Sequence, residues 1–348
     1  MMGTVPLRKQ ELPISLNESE FIRAAVSDGM RVDGRGPYEL RHITMQCGRT
    51  STTGGHVELC LGDTRVLAVV SCEAIEPFPD RPTEGFFVFQ VEFSPMASPL
   101  FEPGRPNDKL TADITRVIER GLKEGRAVDT ESLCIVGGKR VWSLRVDCHV
   151  LSHAGNLVDA CALATIGALL SYRRPDVTVD GEGEITIHPI DEREPVPLSI
   201  HHIPIAVSFA DFGTSADDTG GIDSGGGGAA AEQQRLICDP SLKEELVMNG
   251  RITFTLNPHQ ELCVVQKSGG APMMQQQILR CAHLASLKVE EMHTILQAAL
   301  KAAEALRNSD QKRRRPGIGP PRAATNDDPN AIRAPRPSEG FSVGGGGS

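Results

Sequence analysis

The stretch from Ser143 to Thr165, SLRVDCHVLSHAGNLVDACALAT, constrains this chain more than any other part of it. Leu144, Val146, Cys148 and Val150 alternate with Arg145, Asp147 and His149, the period-two pattern of a half-buried strand. Gly155-Asn156 breaks the run, and Leu157, Ala160, Cys161, Ala164, Ile166, Leu169 and Leu170 then recur at helical spacing. A strand, a glycine turn and a helix start make a natural anion site, because the first helical N–H groups have no intrahelical partner and the dipole favours negative charge. A working phosphate site adds a cation and a hydroxyl at that point, whereas this chain has Leu157 and Val158. The backbone pattern is that of nucleotide chemistry, and the side chains are those of packing.

Size and charge narrow the setting. The 348 residues leave room for two domains of ordinary size, with 39% hydrophobic and 23% charged residues, the balance of a soluble globular protein. A formal net charge of -9 argues against whole-surface attraction to nucleic acid, so any RNA contact needs a local basic patch. No run of uncharged apolar residues is long enough for a membrane span, and MMGTVPLRKQELPISL carries no signal-peptide core. The nine cysteines are odd in number and scattered, with no Cys-x-x-Cys pair, which reads as reduced core thiols rather than a disulfide frame or a zinc site.

The expected organisation is an N-terminal helical arm (1–30), a first half (31–175), a second half (176–308) and a disordered Pro-, Gly- and Arg-rich tail (309–348). Ser15 with Glu18 fits a capping box for a helix over 15–29. Strands are expected around 41–49, 56–61, 65–73 and 87–94, a helix over 107–125, then strand 141–151 and helix 157–171. In the second half, strands at 185–187, 203–209, 251–256 and 261–267 precede a long helix from Pro272 to about Arg307. Residues 213–235, rich in Gly, Ala and Asp, read as a flexible insertion. Both halves end a sheet and run into a long helix.

The order strand–turn–helix with VDCHVLSHAGN, preceded by RVDGR and FEPGRP, resembles the RNase PH family. TESLCIVGGKRVW, RRPDV, DEREPVPLSIHHIPI and QKSGG narrow the resemblance to the polymyositis/scleroderma autoantigen-type ring subunits of the eukaryotic RNA exosome, over about residues 16–307. The resemblance implies an α+β chain with the RNase PH fold, two βαβ-type halves of the ribosomal protein S5 domain 2-like kind, packed in pairs into a hetero-oligomeric six-membered ring around a pore. It implies as partners other RNase PH-like ring subunits, S1/KH cap subunits, associated exoribonucleases and single-stranded RNA, with no membrane. It also implies a place in the nucleus, nucleolus and cytoplasm and a part in rRNA maturation and in mRNA and non-coding RNA decay.

Active members of that family cleave RNA from its 3′ end with inorganic phosphate. Their phosphate-holding Thr and Arg fall here on Leu157 and Val158, and a second arginine falls on Leu110. Their pair of catalytic aspartates falls on Lys243 and Asn249, six positions apart, neither of which can act as the acid. Asp239, Glu244 and Glu245 lie nearby. The resemblance therefore implies a subunit with no catalytic residues, no metal and no cofactor. The competing reading is an active phosphate-dependent exoribonuclease that uses a shifted set such as Asp239 and Glu245. A kinase-like enzyme is a third class, and no Walker-type glycine loop supports it.

For RNA, the best basic set is Arg105 in the FEPGRP loop with Lys109, Arg116 and Arg120 on the following helix, where 116 and 120 share a face at i,i+4 spacing. Lys139-Arg140 in a glycine-rich loop is a second set, open to RNA or to a neighbouring subunit. The alternative for all of them is a solvated face, with Glu119 as partner of the helix set. His153 reads as a hydrogen-bonding structural histidine. Lys312, Arg313, Arg314 and Arg315 form the one dense basic run, a nuclear-import signal, a nonspecific RNA arm or a solubilising tail.

Overall fold

The computed structural model describes residues 14–48, 55–99, 101, 108–180, 185–189, 192–213, 236–270 and 272–314, without the side chains of 108–109 and 310–314. Arg105, the insertion from 214 onward, and the tail from Arg315 onward lie outside the described residues. Met1–Arg307 form one compact unit, and Asn308–Ser348 form a second.

Helix α1 (Leu16–Ser27) starts at Ser15, whose hydroxyl accepts the Glu18 N–H at 3.2 Å. Ile22 and Val26 of α1 are buried with Ala210, Phe212, Ile237 and Val247 in a satellite cluster. The first sheet contains β1 (Ile43–Cys47), β2 (His56–Leu61), β3 (Thr64–Ile75), β4 (Phe86–Phe93), β5 (Cys134–Val136) and β6 (Arg140–Ser152), in the order β1-β2-β3-β6-β4 with β5 on β6. All pairs are antiparallel except β4 with β6. A parallel pair needs a crossover, and α2 (Asp108–Glu119) supplies it between them. The helix expected over 107–125 is therefore divided: α2 stops at Glu119, and Arg120–Glu124 form a single π turn.

Helix α3 (Leu157–Ser171) follows β6. Its sequence predicts one apolar stripe, yet nearly every residue from Leu157 to Ser171 is buried. The cause is its position, since α3 packs on β2 and β3 of the first sheet and on β11 of the second. Two short ribbons follow, β7 (Arg173–Arg174) with β10 (Val196–Pro197) and β8 (Val177–Val179) with β9 (Ile185–Ile187). The second sheet is β12-β11-β13-β14, antiparallel throughout, built from β11 (Ile205–Asp211), β12 (Leu236–Cys238), β13 (Gly250–Leu256) and β14 (Leu262–Gly269). The six-residue helix α4 (Leu242–Val247) lies between β12 and β13. Helix α5 (Gln275–Arg314) closes the chain, burying Cys281, Ala285, Val289, Met292 and Leu296 at helical spacing. It runs seven residues beyond Arg307, where the helix was expected to end, and so into the expected tail, because residues 301–314 are rich in good helix formers.

All nine cysteines are free. Cys148, Cys161, Cys238 and Cys281 are buried, whereas Cys47, Cys60, Cys72, Cys134 and Cys263 are only partly so, a shallower placement than core thiols imply. No helix among the described residues is long and apolar enough to cross a membrane.

Candidate functional site

The turn between β6 and α3 lies where the two sheets meet. Gly155 takes φ +99°, and a Cβ there would sit 2.5 Å from the Leu242 nitrogen and 2.7 Å from the Pro240 oxygen. That approach is open only to glycine. It lets the Leu242 N–H donate to the Ala154 oxygen at 2.9 Å, stitching the α3 turn to α4. Asn156, at φ +51°, then opens the helix, with Leu157 and Val158 buried behind it. The positions expected to be a lost phosphate site are thus core side chains. Leu110 also packs against the main core from α2.

A set of carboxylates faces this turn, and it is not the one the resemblance assigned. Lys243 is exposed and bonds Glu18 of α1 at 2.9 Å. Asn249 is exposed and donates to the Gly213 oxygen at 2.5 Å. The side chains that reach the turn are Asp239 and Glu245, which are also six positions apart. Asn156 donates its backbone N–H to Glu245 Oε1 at 3.0 Å, and its Nδ2 to Asp239 Oδ1 and Asp159 Oδ2, both at 2.8 Å.

Asp239 is fully buried at φ +50°. Arg41 donates Nη2 to Oδ1 at 2.7 Å, and both Nε and its backbone N–H to Oδ2 at 2.9 Å. Arg35 adds a contact at 3.1 Å. Burial pushes this carboxyl up, but the hydrogen bonds and charge of Arg41, with Asn156, hold it below the ordinary aspartate value. Arg31, in the same RVDGRG segment, pairs with buried Glu244 at 2.6 and 2.9 Å and donates to the Cys238 and Asp239 oxygens. Glu245 and Asp159 go the other way. Burial pushes Glu245 up to about 7, opposed by Arg251, the Asn156 N–H and Arg41. Burial pushes Asp159 up to about 6 against hydrogen bonds from Ser208 and Asn156.

His153 is neutral, since burial and then the charge of Arg41 lower it to about 4. Its Nδ1 accepts the Gly155 N–H at 3.4 Å and its ring stacks on Phe101. These contacts are what the sequence reading expects of a hydrogen-bonding histidine. The sequence reading missed the arginines of RVDGRG and Arg41 as partners of the acids. The only signal was their charge, because their partners lie about two hundred positions away.

The basic residues proposed for RNA are spread apart. Lys109 sits in the first turn of α2, and Arg116 is exposed on that helix. Arg120 is exposed at the start of the π turn, where its partner is Glu124 at 3.9 Å rather than Glu119. Lys139 and Arg140 are exposed at the β5–β6 turn, Arg140 bonding the Ala74 oxygen at 3.2 Å. That turn and the α3 turn lie at opposite ends of β6. Lys312, Arg313 and Arg314 close α5. Among the described residues, no group of three or more His, Cys, Asp or Glu is arranged to hold a metal ion.

Residues 39–175 match the family model for the 3′ exoribonuclease family (RNase PH), domain 1, and residues 202–288 match domain 2. The chain is 42% identical over 307 residues to exosome complex component RRP45B of Arabidopsis thaliana, covering 88% of this chain and 65% of that protein. It is also 42% identical over 303 residues to RRP45A of the same plant, covering 86% of this chain and 92% of that protein. The chain spans less than two thirds of the length of the first of these relatives. A solved Archaeoglobus fulgidus exosome with RNA bound to the active site superposes with a TM-score of 0.61 at 28% identity, covering 84% of this chain and 97% of that one.

Proposed function

The chain belongs to the 3′ exoribonuclease (RNase PH) family, and from that premise we propose that it is a non-catalytic subunit of an exosome core ring. It supports 3′-to-5′ RNA processing and decay by partner nucleases and helps to line the RNA path. The observation that carries this reading is the bond from the Asn156 N–H to Glu245 Oε1 at 3.0 Å, in front of buried Leu157 and Val158. Phosphorolysis needs a phosphate anion held against the scissile bond and charge stabilisation in the transition state. Here the N–H at the helix start is already taken by an oxygen of the protein's own Glu245. Leu157 and Val158 offer neither hydroxyl nor cation. Asp239 has the spacing of a catalytic acid, but each of its oxygens accepts from an arginine and it is fully buried, so it acts as a counter-ion. Losing one charge-stabilising donor costs about 10²–10³ in rate, and this site lacks several.

The partners on this reading are other RNase PH-like ring subunits, S1/KH cap subunits, exoribonucleases and single-stranded RNA, in nucleus, nucleolus and cytoplasm. Arg105 and Lys109, with Arg116, would hold the RNA backbone without reading bases. Lys312 to Arg315 would serve nuclear import. The test is RNA shortening by the purified chain, alone and with an RNase PH-like partner whose own site is inactivated. No phosphate-dependent 3′-end ladder is expected. A ladder that needs phosphate and disappears in a Glu245→Ala variant would establish the active-enzyme reading instead. In intact rings, Arg105→Glu with Lys109→Glu should weaken RNA binding alike for unrelated sequences, and less at high salt.

A further inference from the structure

The non-catalytic reading leaves one group unexplained. Arg251, at the start of β13, has a side chain only 10% exposed. Its nearest carboxylate oxygens are Asp113 Oδ2 and Glu245 Oε1, each 3.8 Å away and beyond hydrogen-bond reach. A guanidinium carries five N–H donors, and inside a protein they are normally used. Here none hydrogen-bonds a described residue, and one of the two carboxylates the group faces is the one held at the α3 start. The cation and the α3 N-terminus converge on one object, the carboxylate of Glu245, which reaches them from α4. Asn156 Oδ1 is also buried without a partner, on a side chain whose Nδ2 faces Asp239 and Asp159.

We propose that Glu245 is a built-in substitute for an oxyanion: its carboxylate fills a cradle formed by the Asn156 N–H and the Arg251 guanidinium, and that cradle still binds a phosphate-class anion once the carboxylate is removed. This rests on the non-catalytic reading and says how the site is kept shut. Every positive element of the cradle is fixed by something other than Glu245. Gly155 and the Leu242–Ala154 bond set the turn that aims the Asn156 N–H. Arg41 is locked on Asp239 and on the Ala154 and Gly155 oxygens. Arg251 lies in the β11–β13 ladder opposite Ala210. Truncating Glu245 to alanine clears a methylene and a carboxyl group, a volume close to that of a phosphate. It also leaves Arg251 facing Asp113 alone. Burial disfavours the Glu245 charge, and Arg251, the Asn156 N–H and Arg41 oppose that penalty. A hydrogen phosphate would meet the same three groups.

The test uses the full chain and inorganic phosphate at pH 8, against chloride of equal ionic strength, read by titration calorimetry and by the shift in Tm. Wild type and Glu245→Gln, whose cradles remain filled, should show no saturable binding. Glu245→Ala should bind phosphate at least tenfold more tightly than wild type, and adding Arg251→Gln should abolish the gain. Folded Glu245→Ala that binds no better than wild type would overturn the proposal, as would saturable binding to wild type. If Glu245→Ala and Glu245→Ser do not fold in chloride, phosphate should rescue their refolding, and failure of rescue also overturns it. Phosphate-dependent RNA turnover by wild type would instead overturn the non-catalytic reading, whereas absent binding in the truncated variants would overturn only this one.

Discussion

Asp239→Asn separates a counter-ion from a catalytic acid. In wild type the carboxylate accepts from Arg41 at 2.7 and 2.9 Å, from Arg35 at 3.1 Å and from Asn156 at 2.8 Å. The side chains of Arg41 and Arg35 are 11% and 13% exposed, so water cannot replace what the substitution removes. The asparagine leaves two nearly buried guanidiniums without their charge partner and turns an amide N–H toward donors. Breaking a buried pair in this way costs about 3–5 kcal/mol. At roughly 2–4 °C per kcal/mol for a unit of this size, the Tm at pH 7 should fall by roughly 6–20 °C. The pH dependence gives a second readout. The folded pKa of Asp239 lies below its ordinary value, so its stabilisation is present above the unfolded pKa and is lost as pH falls through the folded one. The gap between wild type and variant should therefore be complete at pH 7 and narrow progressively below about pH 4. Thermal unfolding followed by circular dichroism across that range measures both. A Tm drop under about 2 °C at pH 7, or a gap that does not narrow as pH falls below about 4, would refute the counter-ion role.

Glu245→Gln should show the opposite sign. Its folded pKa is raised to about 7, so ionisation costs stability progressively between the unfolded value and about pH 7, and fully above it. The glutamine keeps an oxygen for the Asn156 N–H, and the variant should gain on wild type by up to about 3 kcal/mol from pH 5 to pH 8 in urea unfolding. Parallel pH profiles would count against this. Gly155→Ala should lose more than about 3 kcal/mol or fail to fold, since its Cβ would meet backbone at 2.5 Å. Gly138→Ala, at φ +78° with nothing within 4 Å, should lose only about 1–2 kcal/mol. Equal losses in the two variants would remove the close-approach argument.

Local pattern made much of the fold legible. The alternation in β6 and the bounds of α3 are visible in the residues themselves, because burial of one strand face and the start of a helix are short-range matters. The single stripe expected for α3 was too narrow, since a second sheet packs on the far side and only the three-dimensional arrangement reveals it. The π turn ending α2 was also illegible, since GLKEGR reads as ordinary helix. The β5 and β12 strands and α4 are too short to carry a period of their own.

The candidate site divides the same way. The residues alone determined that positions 157 and 158, at the α3 turn, carry neither a hydroxyl nor a cation. They also determined that His153 has no catalytic neighbours at short spacing. Which acids face the turn was decided by tertiary structure alone. Asp239 and Glu245 reach it while Lys243 and Asn249 do not, because α4 is docked on Gly155 and aims one of its faces at α3. The charge state of those acids was decided there too. In sequence Asp239 and Glu245 are ordinary carboxylates six positions apart. In the fold one lies against Arg41 and is held below its ordinary value, while burial pushes the other, at the start of α3, up to about 7. Solvent exclusion and the nearest guanidinium set that difference, and both come from segments distant in the chain.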